Sequence, residues 1–152
     1  MIISRAQIND APEILALQKL AYQSEAELYN DYNLPPLVQT PAELKAELEE
    51  VVCLKAVQGG RIIGSVRARE QEGTCHIGRL IVHPAWQGQG LGQKLMAAIE
   101  AEFPEAERFE LFTGFLSQRN LRFYARQGYE RFANKKLSPE VTLVLLQKPG
   151  MS

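Results

Sequence analysis

The stretch CHIGRLIVHPAWQGQGLGQKL, residues 75–95, decides how this chain is read. Its first half alternates like a strand, but the alternation slips: Cys75 and Ile77 set one apolar phase, whereas Leu80 and Val82 set the other. An extra residue near Gly78 or Arg79 is what a β-bulge inserts, and a bulge bends the strand and leaves backbone groups unpaired. The second half places Gly88, Gly90 and Gly92 at alternate positions ahead of Leu91, Leu95, Ile99 and Phe103. That four-residue recurrence predicts an amphipathic helix, closed by Pro104. Glycines between a strand and a helix let several N–H groups converge on one point with no Cβ in the way, which suits an anion such as a pyrophosphate. A turn that merely lets a helix pack closely on a sheet is the other reading; three glycines after a bulged strand favour the phosphate site. The spacing is not that of a dinucleotide fingerprint, and no Gly-Lys-Ser/Thr follows as a P-loop requires.

Outward from this core, the flanking segments supply a mixed sheet. Val52 to Gln58 reads as a strand, Gly59-Gly60 as a tight turn, and Arg61 to Arg69 as the hairpin partner that leads into Thr74 to Val82. Downstream, Phe109 to Thr113 predicts a strand, Ser117 to Gln127 a helix stopped by Gly128, and GYERF and VTLVLLQ two last strands. Upstream, Ile2 to Ala6 is a short strand, and Asp10 before Ala11-Pro12 predicts the N-cap of a helix bearing Ile14, Leu17 and Ala21. Residues 22–40 carry Tyr22, Tyr29 and Tyr32 and then Pro35-Pro36, which implies a loop or broken helix. Thr40, Pro41 and Glu43 form a capping box that opens a helix through Leu44 and Leu48.

Composition restricts the function classes. The chain has 152 residues, the size of one ordinary domain, and we expect residues 1–152 to form one unit. Lys+Arg 17 against Asp+Glu 18 gives a net charge of -1, so no global basic field draws it onto nucleic acid. No apolar run approaches a membrane span, and MIISRAQ lacks the regions of a signal peptide, so a cytoplasmic location is expected. Cys53 and Cys75 lie in apolar runs and share no metal-type spacing with His76 and His83; we expect buried thiols and no metal.

The segment RLIVHPAWQGQGLGQKLM resembles the signature of the GNAT superfamily of N-acetyltransferases, in which Gln or Arg, two residues, Gly, one residue, then Gly or Ala binds the acetyl-CoA pyrophosphate. Gln87, Gly90 and Gly92 fill those places. NLRFYARQGYERF resembles the family's second segment through Asn120, Tyr124, Gly128 and Tyr129. The resemblance implies an α+β fold: a mainly antiparallel mixed sheet of about seven strands with a V-shaped splay, flanked by four helices. It also implies that the pantetheine arm of acetyl-CoA lies in the splay as a surrogate strand against the backbone of Leu80, Ile81 and Val82. Gln87, Gly88, Gln89, Gly90, Leu91 and Gly92 would hold the pyrophosphate, with Asn120 and Tyr124 facing the arm.

By the same resemblance, Tyr124 protonates the leaving thiolate after direct attack of a primary amine on the thioester. Its other reading is a core aromatic. The general base is open among Glu70, Glu72, Glu110, His76 and an ordered water; His83 before Pro84 shapes a turn. Tyr22, Tyr29, Tyr32 and Glu70 are the candidates on the acceptor side. The acceptor is a small molecule or a peptide amine, with a protein N-terminus or lysine as the alternative, and a homodimer is compatible with the family. A non-enzymatic acyl-CoA-binding module is the rival class, and retention of both Asn120 and Tyr124 argues against it.

Overall fold

The computed structural model describes residues 1–151. Seven strands form one sheet: β1 (Ile2–Arg5), β2 (Val52–Gln58), β3 (Arg61–Gln71), β4 (Thr74–Val82), β5 (Arg108–Gly114), β6 (Glu130–Lys136) and β7 (Thr142–Pro149). Their order across the sheet is β1-β2-β3-β4-β5-β7-β6, antiparallel throughout except for β4 beside β5. A parallel neighbour needs a crossover, and the helix α5 (Leu91–Ala101) provides it.

The expected mixed α+β sheet with its splay is therefore present. The remaining helices are α1 (Ala11–Ala21), α2 (Gln23–Tyr29), α3 (Pro35–Val38), α4 (Pro41–Leu48) and α6 (Gln118–Arg126). Helices α1, α4, α5 and α6 are those read from periodicity and caps, and α2 and α3 add to the four expected. The stretch from 22 to 40 resolves as a broken helix: Asn30 turns left-handed at φ 49 and ends α2, and Pro35 restarts the chain as α3.

The Thr40 cap forms as expected, with Thr40 Oγ1 accepting from the Glu43 amide and Glu43 accepting from the Thr40 amide. Asp10 behaves differently. Its carboxylate accepts from the Gln7 amide at 2.8 Å and from Lys55 Nζ at 2.8 Å, so it closes a 3₁₀ turn over Ile8–Asp10 and leaves the first turn of α1 without a side-chain cap. A lysine on the neighbouring strand, invisible to local spacing, captures the group.

Each face of the sheet has its own core. On one, α5 and α6 pack Leu91, Leu95, Ile99 and Leu121 over Cys75, Ile77, Phe109 and Leu111. On the other, α1 and α4 pack Ile14, Leu17 and Leu44 over Cys53, Ile62 and Ile81. Both cysteines are free and buried; burial pushes the Cys75 thiol up to about 12. No helix among the described residues is long and apolar enough to cross a membrane.

Candidate active site

The bulge lies where the phase slip puts it. Ser65 pairs with Ile81 and Arg67 with Gly78, so two residues of β3 advance against three of β4. Arg79 absorbs the surplus at φ 52, in the left-handed region. The slip has a packing purpose: Leu80 and Val82 return to the same α5-side core as Cys75 and Ile77.

Beyond the bulge the two parallel strands separate. β4 and β5 pair only at Thr74–Arg108, Cys75–Phe109 and His76–Glu110. From Ile77 to Val82 the β5-facing edge of β4 has no strand partner, and β5 instead runs its full length against β7. Unpaired backbone edges in the middle of a sheet demand hydrogen-bonding partners, and an amide-bearing chain laid between them supplies such partners.

At the open end of this V stands the glycine loop. His83 leads into a 3₁₀ turn over Pro84–Trp86, with His83 Nδ1 accepting from the Ala85 amide at 3.1 Å, so this histidine shapes the turn as expected. Gln87 Nε2 donates back to the Val82 carbonyl at 3.2 Å and ties the loop to the strand end. Gly88 at φ 77 and Gly90 at φ 83 are left-handed, and a Cβ on either would meet nothing. The room around them and their backbone conformation are what an anion cradle at the start of α5 needs. Gly92 differs: it lies inside α5 with an ordinary φ, and a Cβ there would stand 3.3 Å from Phe123 of α6. Its smallness serves helix packing as well as approach to the loop.

On α6, Asn120 and Tyr124 face the same region. Asn120 Nδ2 donates to Thr113 Oγ1 and to Glu25 Oε1, both at 3.3 Å. Tyr124 packs edge-on to Phe123 and Tyr129, at 5.2 and 6.0 Å between ring centroids. Burial first, and then the neighbouring Tyr22 and Glu25, push its phenol well above the usual range, so it keeps its proton at neutral pH. The ring is packed and the hydroxyl remains protonated, which is compatible with both the core-aromatic and the donor reading.

The base candidates fall into two groups. His76 and Glu110 occupy the last paired rung, at the vertex of the V, with His76 Nδ1 3.6 Å from Glu110 Oε2. Arg108 also pairs with Glu110 and donates to Gln147 at 3.0 Å. Glu70 lies opposite Cys75, near the β3–β4 turn, and Glu72 is in that turn at φ 51. Both are exposed, and the splay opens away from them.

The three tyrosines also part. Tyr29 is buried and its hydroxyl accepts from the Leu116 amide at 2.8 Å; its ring fills the space that only glycine at 114 leaves. Tyr32 is exposed. Tyr22 lies against the α1-side core beside Arg79; burial raises its phenol, and the Arg79 and Arg67 guanidiniums oppose that rise.

Three residues unmarked by local pattern make polar contacts around this region. Glu25 accepts from Ser117 Oγ at 2.5 Å and from Asn120, which fastens α2 to the start of α6. Arg67 is buried, with Nε and Nη2 on Glu47, Nη1 on Gln18 and Nη2 also on Gln39. Arg79 stands on the bulge itself. Only the unusual alternation at 78–79 pointed near it, and nothing local marked the other two.

Comparison with known proteins places these features in a family. Residues 13–129 match the model of the acetyltransferase (GNAT) family. The UPF0157 protein YqkA of Bacillus subtilis is 26% identical over 133 residues, 88% of this chain; the chain spans only 38% of that protein's length. The fold is similar to that of ribosomal-protein-alanine N-acetyltransferase from Brucella melitensis, with TM-score 0.76 at 18% identity over 98% of this chain and 99% of that one. PaiA N-acetyltransferase from Thermoplasma acidophilum, in complex with coenzyme A, gives TM-score 0.77 at 13% identity over 98% and 99%.

Proposed function

The chain belongs to the acetyltransferase (GNAT) family, and from that premise we propose that it transfers the acetyl group of acetyl-CoA to a primary amine by direct attack. The observation that carries this reading is the splay itself: an unpaired β4 edge from Ile77 to Val82 that runs into a cradle of left-handed glycines. Both halves suit one molecule with amides along its arm and a diphosphate at its end.

When bound, acetyl-CoA supplies an activated thioester. Leu80, Ile81 and Val82 offer backbone groups to the arm, and Gln87 to Gly92 direct main-chain donors at the diphosphate, aided by the positive end of the α5 dipole. Backbone N–H groups at the bulge polarise the acetyl carbonyl. Tyr124 holds its proton at Oη and offers it to the departing sulfur. An ammonium acceptor must first lose a proton, and the His76–Glu110 pair at the vertex is the base we assign. Holding amine and thioester side by side contributes the rest of the rate through proximity.

The test is release of free thiol from acetyl-CoA in the presence of a panel of primary amines. Thiol release that depends on an amine supports the reading. Acetyl-CoA binding with no amine-dependent release would favour a non-enzymatic binding module.

A further inference from the structure

Arg79 is a half-buried guanidinium beside the Tyr22 hydroxyl, and one of its N–H groups is left over. Its Nε is buried with no hydrogen-bond partner, and no carboxylate among the described residues pairs with it. A buried, unpaired N–H on a charged group is costly unless something satisfies it. The nearby acids are already engaged. Glu47 takes two bonds from Arg67, at 3.0 and 3.2 Å, and a third from Gln39 at 2.8 Å. Glu43 caps the start of α4. Gln39 spends its oxygen on Gln18 and Arg67.

Arg79 also opens into a cavity. A space of about 320 Å³ is lined by Arg79, Asn33, Pro35, Val38, Gln39 and Glu43. It is an open depression, at the lower end of the size of small-molecule sites. Its walls come from the turn before α3, α3 itself, the start of α4 and the bulge, and Arg79 is the chain neighbour of Leu80, whose backbone the proposed arm of acetyl-CoA follows. The guanidinium fork matches a carboxylate in plane and charge.

We infer that the acceptor is a small amino acid-type molecule that carries a carboxylate as well as its amine, and that Arg79 is the residue that binds this carboxylate. The inference rests on the acetyl-transfer reading above. Glu43 on the same wall is exposed and repels either anion, a doubly charged phosphate more than a singly charged carboxylate. The side-chain amide of Asn33 offers a further donor on the rim. Pro35 and Val38 give the substrate's carbon chain an apolar wall.

The experiment compares matched trios of acceptors with the purified protein and acetyl-CoA: each common L-amino acid, its carboxamide and its decarboxylated amine, with phosphoethanolamine and β-alanine as a phosphate–carboxylate pair. We expect kcat/KM for at least one acid to exceed that of its amide and its decarboxylated amine by about tenfold to a hundredfold. In Arg79→Gln that ratio should fall to within about threefold, through KM for the acid, with acetyl-CoA affinity and circular dichroism melting kept as folding controls; Arg79→Lys should fall between. The comparison in the wild-type protein stands even if a variant fails to fold. Equal or better turnover of the uncharged partners, no turnover of any acid, preference for the phosphate, or a preference that survives Arg79→Gln would overturn the inference. In each case acetyl-CoA binding would leave the broader reading in place, whereas no binding of acetyl-CoA would remove both.

Discussion

His76 Nδ1 stands 3.6 Å from Glu110 Oε2 on the last rung at which β4 and β5 remain paired. One residue comes from each arm of the V, so the pair can form only if the arms meet there. If it accepts the ammonium proton, His76→Gln lowers kcat at neutral pH by about tenfold or more, and the loss shrinks at alkaline pH, where the amine deprotonates unaided. KM for acetyl-CoA stays the same. Unchanged kcat with an unchanged pH profile would remove the pair from the mechanism.

Tyr124 is tested by deleting one oxygen. Tyr124→Phe keeps the ring that packs on Phe123 and Tyr129, so melting temperature and acetyl-CoA affinity should hold. Turnover should fall by about a hundredfold if the hydroxyl serves the departing sulfur. Stopped-flow thiol detection reads the step; equal rates would return Tyr124 to a packing role alone.

The glycines are expected to differ in how they fail. At Gly90, with φ 83 and open space around it, alanine clashes with nothing but must adopt a left-handed backbone, at a cost of about 1–2 kcal/mol. Relaxation of that strain would disturb the cradle, so Gly90→Ala should weaken acetyl-CoA binding by about tenfold in calorimetry. Gly92→Ala has an ordinary φ and presses on Phe123 at 3.3 Å, so its effect should appear in the melting temperature first. The reverse order would mean that Gly92, not the left-handed pair, shapes the anion site.

These contrasts mark what the sequence makes legible. The β4 bulge is legible because apolar alternation is local and a one-residue slip shows between Cys75 and Val82. The helices α5 and α6 and the Thr40 cap were readable for the same reason. Asp10 stands at the N-cap of α1 as its spacing predicts, but its carboxylate bonds the Gln7 amide and Lys55 of a distant strand, which local spacing does not record. The tyrosines of the α2 region looked alike in sequence; only the packing of Gly114 separates Tyr29, a structural strut, from Tyr22 beside Arg79. Glu25, Arg67 and Arg79 act through contacts that span the chain, and no periodicity records such contacts.

The buried polar cluster under the cavity also sets a pH dependence. Burial works to raise the Glu47 carboxyl, but Arg67 and the bonds from Gln39 and Arg67 outweigh it and leave it below its usual 4.5. A carboxylate lowered in the folded state contributes stability above its unfolded value and loses it as pH falls through the folded one. Melting temperature should therefore drop between about pH 5 and pH 3, and less steeply in Glu47→Gln. Arg67→Met takes the cation from the half-buried Glu47 and should lower the melting temperature at neutral pH. A Glu47→Gln protein as acid-sensitive as wild type would show that the stabilising charge lies elsewhere.

In the function we propose, the gap between β4 and β5 and the loop from Gln87 to Gly92 hold one acetyl-CoA. Isothermal calorimetry with acetyl-CoA measures it directly, with Gly90→Ala as the comparison. We predict one site per chain at micromolar affinity in the wild-type protein, and weaker binding in the variant. No heat of binding at hundreds of micromolar acetyl-CoA, or equal affinity in the two proteins, would contradict the account.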